Sequence, residues 1–242
     1  MALHFVVESA EAGVGDVVTL TGAEAHHAAT VRRVRGGEEV TVGDGRGAWL
    51  TGVVETVQSR EVSVRVTERV DVPAPSPRLV LVQALAKGDR DELAVQAATE
   101  LGVDEIVPWQ AARSVSRWAD AKAEKGRQRW AAIVREAAKQ AHRAWVPSVV
   151  PVETVAQLVR RAATSTVLVL EPTAGSALSG VELGAERDIV LVVGPEGGIA
   201  PDELAALTRA GATPVRLGNT VLRTSTAGPA ALAVASAMLG RW

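Results

Sequence analysis

The alternation of apolar and polar positions changes rhythm once along the chain, near residue 72. Before that point, short apolar runs of β type (5–7, 17–20, 40–42 and 62–66) are separated by glycine-rich turns. Gly43-Asp44-Gly45-Arg46-Gly47 is a hairpin signal, because Asp-Gly accepts the positive φ that such turns need. Residues 23–34 read as a short helix carrying His26, His27, Arg32 and Arg33. Several short strands with one helix predict a small barrel. Residues 71–77 hold three prolines within five positions, which continue neither a ladder nor a helix. This segment is the expected linker between a domain at 1–72 and a second at 73–242.

Beyond the linker, strands alternate with helices. Apolar runs at 79–85, 105–109, 167–170, 189–193 and 215–217 read as strands. Asp89 followed by Glu92 resembles a capping box, and Gly102 closes that helix. Trp130, Ile133, Val134, Ala137 and Ala141 recur at helical spacing, as one apolar face. Pro201 suits a first helical position, with Asp202 and Glu203 in its positive first turn. A closing helix is expected over 227–239. The alternation implies an α/β fold with a largely parallel sheet. Within it, Ile189-Val190-Leu191-Val192-Val193 has five consecutive aliphatic residues, the pattern of an interior strand buried on both faces.

Composition narrows the chemistry. The 242 residues include no cysteine and no tyrosine, so disulfides, thiolate metal sites and thiol nucleophiles are excluded. No apolar run reaches membrane-spanning length and the N-terminus has no signal-peptide pattern, so a cytoplasmic protein is expected. Adjacent His26 and His27 diverge on a helix and lack a third ligand, so no metal is expected. The net charge of −2 hides segregation: residues 113–143 carry nine Lys or Arg against three acids. A local basic stripe is the footprint of a phosphate-rich partner or an ordinary solvated face.

The P-loop, the dinucleotide glycine fingerprint and the serine-hydrolase elbow are all absent. Two ligand-type loops remain late in the chain, Gly194 to Gly198 and Arg216 to Thr224, each after an aliphatic strand. Ligands bind beyond the carboxyl ends of parallel strands, so both loops are expected to open on one edge of the sheet.

Val193-Gly194-Pro195-Glu196-Gly197-Gly198, together with Leu217-Gly218-x-x-x-Leu222-Arg223-Thr224, resembles the SPOUT, or trefoil-knot, methyltransferases. Glu100-Leu101-Gly102-Val103, Arg113-Ser114 and Glu136-Ala137-Ala138-x-Gln140-x-x-Arg143-x-x-x-Pro147 extend the likeness over nearly the whole chain. Within that group it resembles the 16S ribosomal RNA uridine-N3 methyltransferase family, and the N-terminal barrel resembles the family's PUA-like RNA-binding domain. The resemblance implies a C-terminal α/β knot, S-adenosylmethionine as methyl donor bound by the two late loops, and a homodimer with active sites near the subunit interface. Its expected partner is 16S ribosomal RNA, within an assembled small subunit. Two positions depart from the family pattern: Ser225 stands where the family has glutamate, and Lys139 where it tends to have an acid.

On this reading the donor is held by Leu170, Glu171, Gly194, Pro195, Glu196, Gly197, Leu217, Gly218, Leu222, Arg223 and Thr224. Uracil N3 keeps its proton at neutral pH, so a fixed guanidinium near the carbonyl oxygens would favour the anion. Arg223 is the first candidate, Arg143 the second (reaching a partner subunit's site), and Glu196 a candidate base. RNA is expected on His26, Arg32, Arg33, Arg113, Arg129, Arg135 and Lys139. The competing readings are a SPOUT ribose 2′-O methyltransferase and a non-catalytic RNA-binding assembly factor.

Overall fold

The computed structural model describes residues 2–242, so Met1 of the expected 1–72 domain lies outside the described residues. Contacts group the described residues into two units, one running as far as Ala74 and joined by Ala138–Val146, the other Pro75–Ala137 with Pro147–Trp242. No helix among the described residues is long and apolar enough to cross a membrane.

The first unit contains β1 (Leu3–Val6), β2 (Val17–Thr21), α1 (Gly22–His26), β3 (Glu39–Gly43), β4 (Ala48–Gln58) and β5 (Glu61–Asp71). The strand order is β1-β3-β4-β5-β2, with β1 parallel to β3 and the other pairs antiparallel. All five strands feed one core that includes Phe5, Leu20, Val42, Leu50 and Val64. That is the packing of a sheet curled toward a barrel. Pattern alone overlooked β4, the partner of β3 across the Gly43–Gly47 turn. Its register shifts between Thr51 and Gly52, and a side chain on Gly52 would place Cβ 2.6 Å from Arg65 O. The expected 23–34 helix is irregular: after α1, a π-helical turn spans His27–Arg32 and ends at Arg33 with φ 56°.

Residues 138–146 join this unit through specific bonds. Lys139 Nζ donates to Glu24 Oε1 at 2.9 Å, Gly47 N–H to Ala144 O at 3.0 Å, Val146 N–H to Gly45 O at 2.9 Å and Trp145 Nε1 to Val72 O at 2.9 Å. Buried His4 stacks on Trp49 at 4.3 Å, and its Nδ1 meets Thr41 Oγ1 at 2.9 Å. Burial, then the nearby His142 and Lys139, lowers its pKa to about 4. An unfolded histidine titrates near pH 6.5, so between these values the unfolded chain binds the extra proton. Stability contributed by neutral His4 is therefore intact above about pH 6.5 and is lost as pH falls toward about 4. Acidification from pH 7.5 to 5 should cost about 2 kcal/mol of unfolding free energy in urea, a loss that His4→Phe should largely remove.

The second unit holds β6 (Leu79–Ala84), α2 (Arg90–Glu100), β7 (Glu105–Trp109), α3 (Ala121–Gln140, through Ala137), β8 (Ser148–Val149), α4 (Val155–Arg161), β9 (Thr166–Leu170), β10 (Ile189–Val193), α5 (Pro201–Arg209), β11 (Thr213–Val215) and α6 (Thr224–Met238). Its six strands are all parallel in the order β11-β9-β10-β6-β7-β8. As expected, β10 is interior and all five of its residues are buried. The short β8 and α4 had no distinct signal.

Three details differ from the pattern reading. Asp89 occupies the N-cap of α2 but makes no side-chain cap bond. Instead Asp91 Oδ2 accepts Ala86 N–H, and Glu92 pairs with Arg129 of α3. Strand β11 ends at Val215, because Arg216 leaves the sheet to bond the 174–178 segment. Helix α6 begins at Thr224, three residues before its expected start. The tryptophans of α3 and its approach serve packing: Trp130 is buried and Trp118 meets it edge-on at 5.1 Å.

Candidate active site

The carboxyl ends of β9, β10 and β11 meet at one cleft of about 390 Å³, within the usual range for small-molecule sites. Its floor is apolar, from Leu170, Val193 and Val215, and its walls are the two late loops. Loop 194–198 is a closed turn in which Gly198 N–H donates to Pro195 O at 2.8 Å and Gly198 adopts φ +71°. Gly194 has no room for a side chain, since Cβ would come 2.7 Å from Ile199 Cγ1. In the second loop Gly218 adopts φ +129° and faces open space. A residue there presents bare backbone to a ligand, which only glycine does without strain.

The two loops are pinned together. Thr224 Oγ1 donates to Gly194 O at 2.9 Å and accepts from Gln83 Nε2 at 2.9 Å. Arg113 Nη1 donates to Gly197 O at 3.0 Å. Behind the glycine loop, Glu203 Oε1 accepts Ala112 N–H at 2.8 Å and Oε2 accepts Ala200 N–H at 3.2 Å, closing the first turn of α5.

Of the residues expected to hold a cofactor, all but Gly197 line this cleft. Gly197 instead packs on Arg113, whose Cβ would lie 3.3 Å from a Cβ added there. Arg223 lies at the mouth, exposed, immediately before α6, and its side chain has no hydrogen bond or ion pair among the described residues. It is a guanidinium left available.

Glu196 is not poised as a base. Its Oε1 accepts Lys87 N–H at 3.1 Å and the Arg90 guanidinium at 3.0 Å. Burial pushes the carboxyl up, but its own N–H, that of Lys87, and Arg90 more than offset this, and its pKa is lowered overall. The sequence reading missed Arg90, which lines the cleft from the start of α2. The rule that ligands sit beyond strand ends, applied to β6 as it was to β10, would have pointed there.

The residues expected to meet RNA separate into distinct environments. His26, Arg32 and Arg33 are exposed on the first unit. His26 borders a surface hollow with Gly22, Thr30, Ser59 and Arg60. Arg135 is exposed on α3, and exposed Arg129 is paired with Glu92. Arg113 is engaged with the glycine loop. Lys139 is a correction: its side chain is only 9% exposed and ion-paired to Glu24, so it holds the first unit together and offers no free cation. Arg143 is half-buried in the 138–146 segment and is not among the residues lining the cleft.

Comparison with known proteins agrees with this arrangement. Residues 73–236 match the family described as the RNA methyltransferase domain, and residues 20–67 match the RNA methyltransferase PUA domain. The chain is 46% identical over its whole length to ribosomal RNA small subunit methyltransferase E of Mycobacterium tuberculosis, covering 94% of that protein. It is 34% identical to the Bacillus subtilis protein of the same name, over 86% of this chain and 85% of the relative. A crystal structure of ribosomal RNA small subunit methyltransferase E from Neisseria gonorrhoeae bound to S-adenosyl methionine superposes with a TM-score of 0.88, at 29% identity over 98% of both chains.

Proposed function

The chain belongs to the SPOUT RNA methyltransferases, in the group of the ribosomal RNA small subunit methyltransferases E, and on that premise we propose that it methylates N3 of a uridine in 16S ribosomal RNA, with S-adenosylmethionine as donor. The observation that carries the reading is the cleft at the ends of β9, β10 and β11, lined by the exposed Arg223, whose guanidinium has no partner among the described residues. Its apolar floor suits an adenine ring, and the backbone at Gly194 and Gly218 allows close approach of the ribose. The bound donor supplies a methyl group on a sulfonium, already activated for transfer.

The protein's own share is then alignment and charge. The loops fix the positions of the reacting groups, worth several kcal/mol of the barrier. Arg223 stabilises the negative charge on the uracil carbonyl oxygens as the N3 proton passes to solvent. Glu196 holds the loop through Lys87 N–H and Arg90 rather than taking that proton. A homodimer, in which Arg143 reaches the partner's site, and an assembled small subunit as substrate belong to the proposal on the strength of the resemblance, as does a cytoplasmic location.

The direct test is transfer of labelled methyl from the donor to isolated small ribosomal subunits and to naked 16S RNA. Label on the subunits is expected; label on neither would overturn the reading. RNA binding should weaken steeply with salt. Each phosphate contact contributes a slope of about 0.7 in log Kd against log salt for single strands. Replacing exposed Arg32 and Arg33 by glutamine should therefore flatten the slope by about 1.4. An unchanged slope would remove these two side chains from the RNA surface.

A further inference from the structure

Strand β6 carries one polar residue at the heart of the sheet. Gln83 is fully buried and does not line the cleft. Its Nε2 donates to Ala84 O at 3.1 Å and to Thr224 Oγ1 at 2.9 Å, while its Oε1 has no hydrogen-bond partner among the described residues. The orientation of the amide follows from the threonine. Thr224 Oγ1 has a single hydrogen and spends it on Gly194 O, which only accepts. Towards Gln83 the hydroxyl must therefore accept, so the amide presents NH₂. A buried glutamine with an orphan oxygen is costly to keep, and an aliphatic residue would fill an interior strand without that cost.

We infer that Gln83 is a positioning residue for the methyl-transfer site: acting through the Thr224 hydroxyl, it locks the glycine loop at Gly194 to the start of α6 and so sets where Arg223 presents its guanidinium. The relay runs from β6 to the ends of both cofactor loops, and Thr224 directly follows Arg223. Gln83 fixes the direction of the threonine hydrogen. Without that donor, the hydroxyl is free to rotate away from Gly194 O, and the two loops lose their mutual register. The inference rests on reading the cleft as the donor site.

The test uses the full chain with S-adenosylmethionine and small ribosomal subunits. Gln83→Leu should raise the donor Kd and lower kcat, each about tenfold, as expected for a lost buried hydrogen bond at the site. If Gln83 acts through the threonine, Gln83→Leu combined with Thr224→Val should be no worse than Thr224→Val alone. Gln83→Glu gives a signature that packing alone would not. A protonated carboxyl donates to Thr224 and substitutes for the amide, while the carboxylate draws the hydroxyl hydrogen away from Gly194. Relative to the unsubstituted protein, activity of Gln83→Glu should thus fall more than about tenfold from pH 6 to pH 8.5, its pKa being raised by burial. This variant also serves if Gln83→Leu fails to fold. Unchanged Kd and kcat in folded Gln83→Leu, a lowered Tm with unchanged kinetics, additive double-mutant losses or a pH-independent ratio for Gln83→Glu would each overturn the inference. Absence of donor binding by the unsubstituted protein would instead remove the reading on which it rests.

Discussion

Arg223→Ala is expected to lower kcat about 100- to 1000-fold, the range found when one preorganised donor to a developing oxyanion is removed. Methyl transfer to uracil N3 needs an anion that water at neutral pH scarcely provides, and Arg223 is a cation at the cleft with no partner among the described residues. Donor affinity should change by less than about threefold, because the floor and glycine walls remain and the lost interaction is made mainly in the transition state. Stability should be unaffected, since the side chain is exposed and holds no partner among the described residues. Arg223→Lys should recover part of the rate: a point charge persists, but the planar fork that spans two acceptors does not. Single-turnover methylation checks the two rates, calorimetry the donor affinity and thermal unfolding the stability. A rate for Arg223→Ala within a few-fold of the original would take Arg223 out of the chemistry.

Gly218→Trp should all but abolish donor binding, raising Kd more than about 100-fold in calorimetry, while the protein stays folded. Gly218 lines a cleft of only about 390 Å³, and nothing within 4 Å of its Cβ position holds a large added side chain away from the donor. The backbone at φ +129° is also strained for any residue with a Cβ, at a cost of about 1–3 kcal/mol. Gly218→Ala separates the two effects, since it keeps the strain without the bulk. It should weaken the donor by no more than about tenfold. Undiminished affinity in Gly218→Trp would mean that the donor sits elsewhere.

The residues that announced themselves in the sequence did so through local rules. Ile189 to Val193 must be interior because five aliphatics in a row leave no polar face, and β10 is buried throughout. The glycines of both late loops marked backbone that a ligand can approach, and the strand-end rule brought the loops to one cleft. Long-range pairing was not legible. Lys139 reads as one cation of a basic stripe, but Glu24, distant in sequence, neutralises it in a largely buried pair. Glu196 read as a candidate base or as an acceptor of backbone N–H bonds at its turn, and Lys87 N–H with Arg90, beyond the adjacent strand β6, make it an acceptor. Strand β4 has no uninterrupted apolar run, because Gly52 breaks it at a point where the neighbouring strand leaves no space for a side chain. Arg216, counted as part of a strand, is diverted by carbonyls at Ala174 and Gly175. For Lys139, Glu196 and Arg216 a partner far along the chain decided the outcome, and periodicity contains no term for such a partner.

Nucleoside mass spectrometry of small-subunit ribosomal RNA, from cells with and without this protein, tests the central claim most directly. The account predicts that one uridine carries a methyl on N3 when the protein is present, and that this methyl is absent when the protein is removed or carries Arg223→Ala. A methyl that moves to a ribose oxygen, or base methylation that is identical in both RNAs, would contradict it.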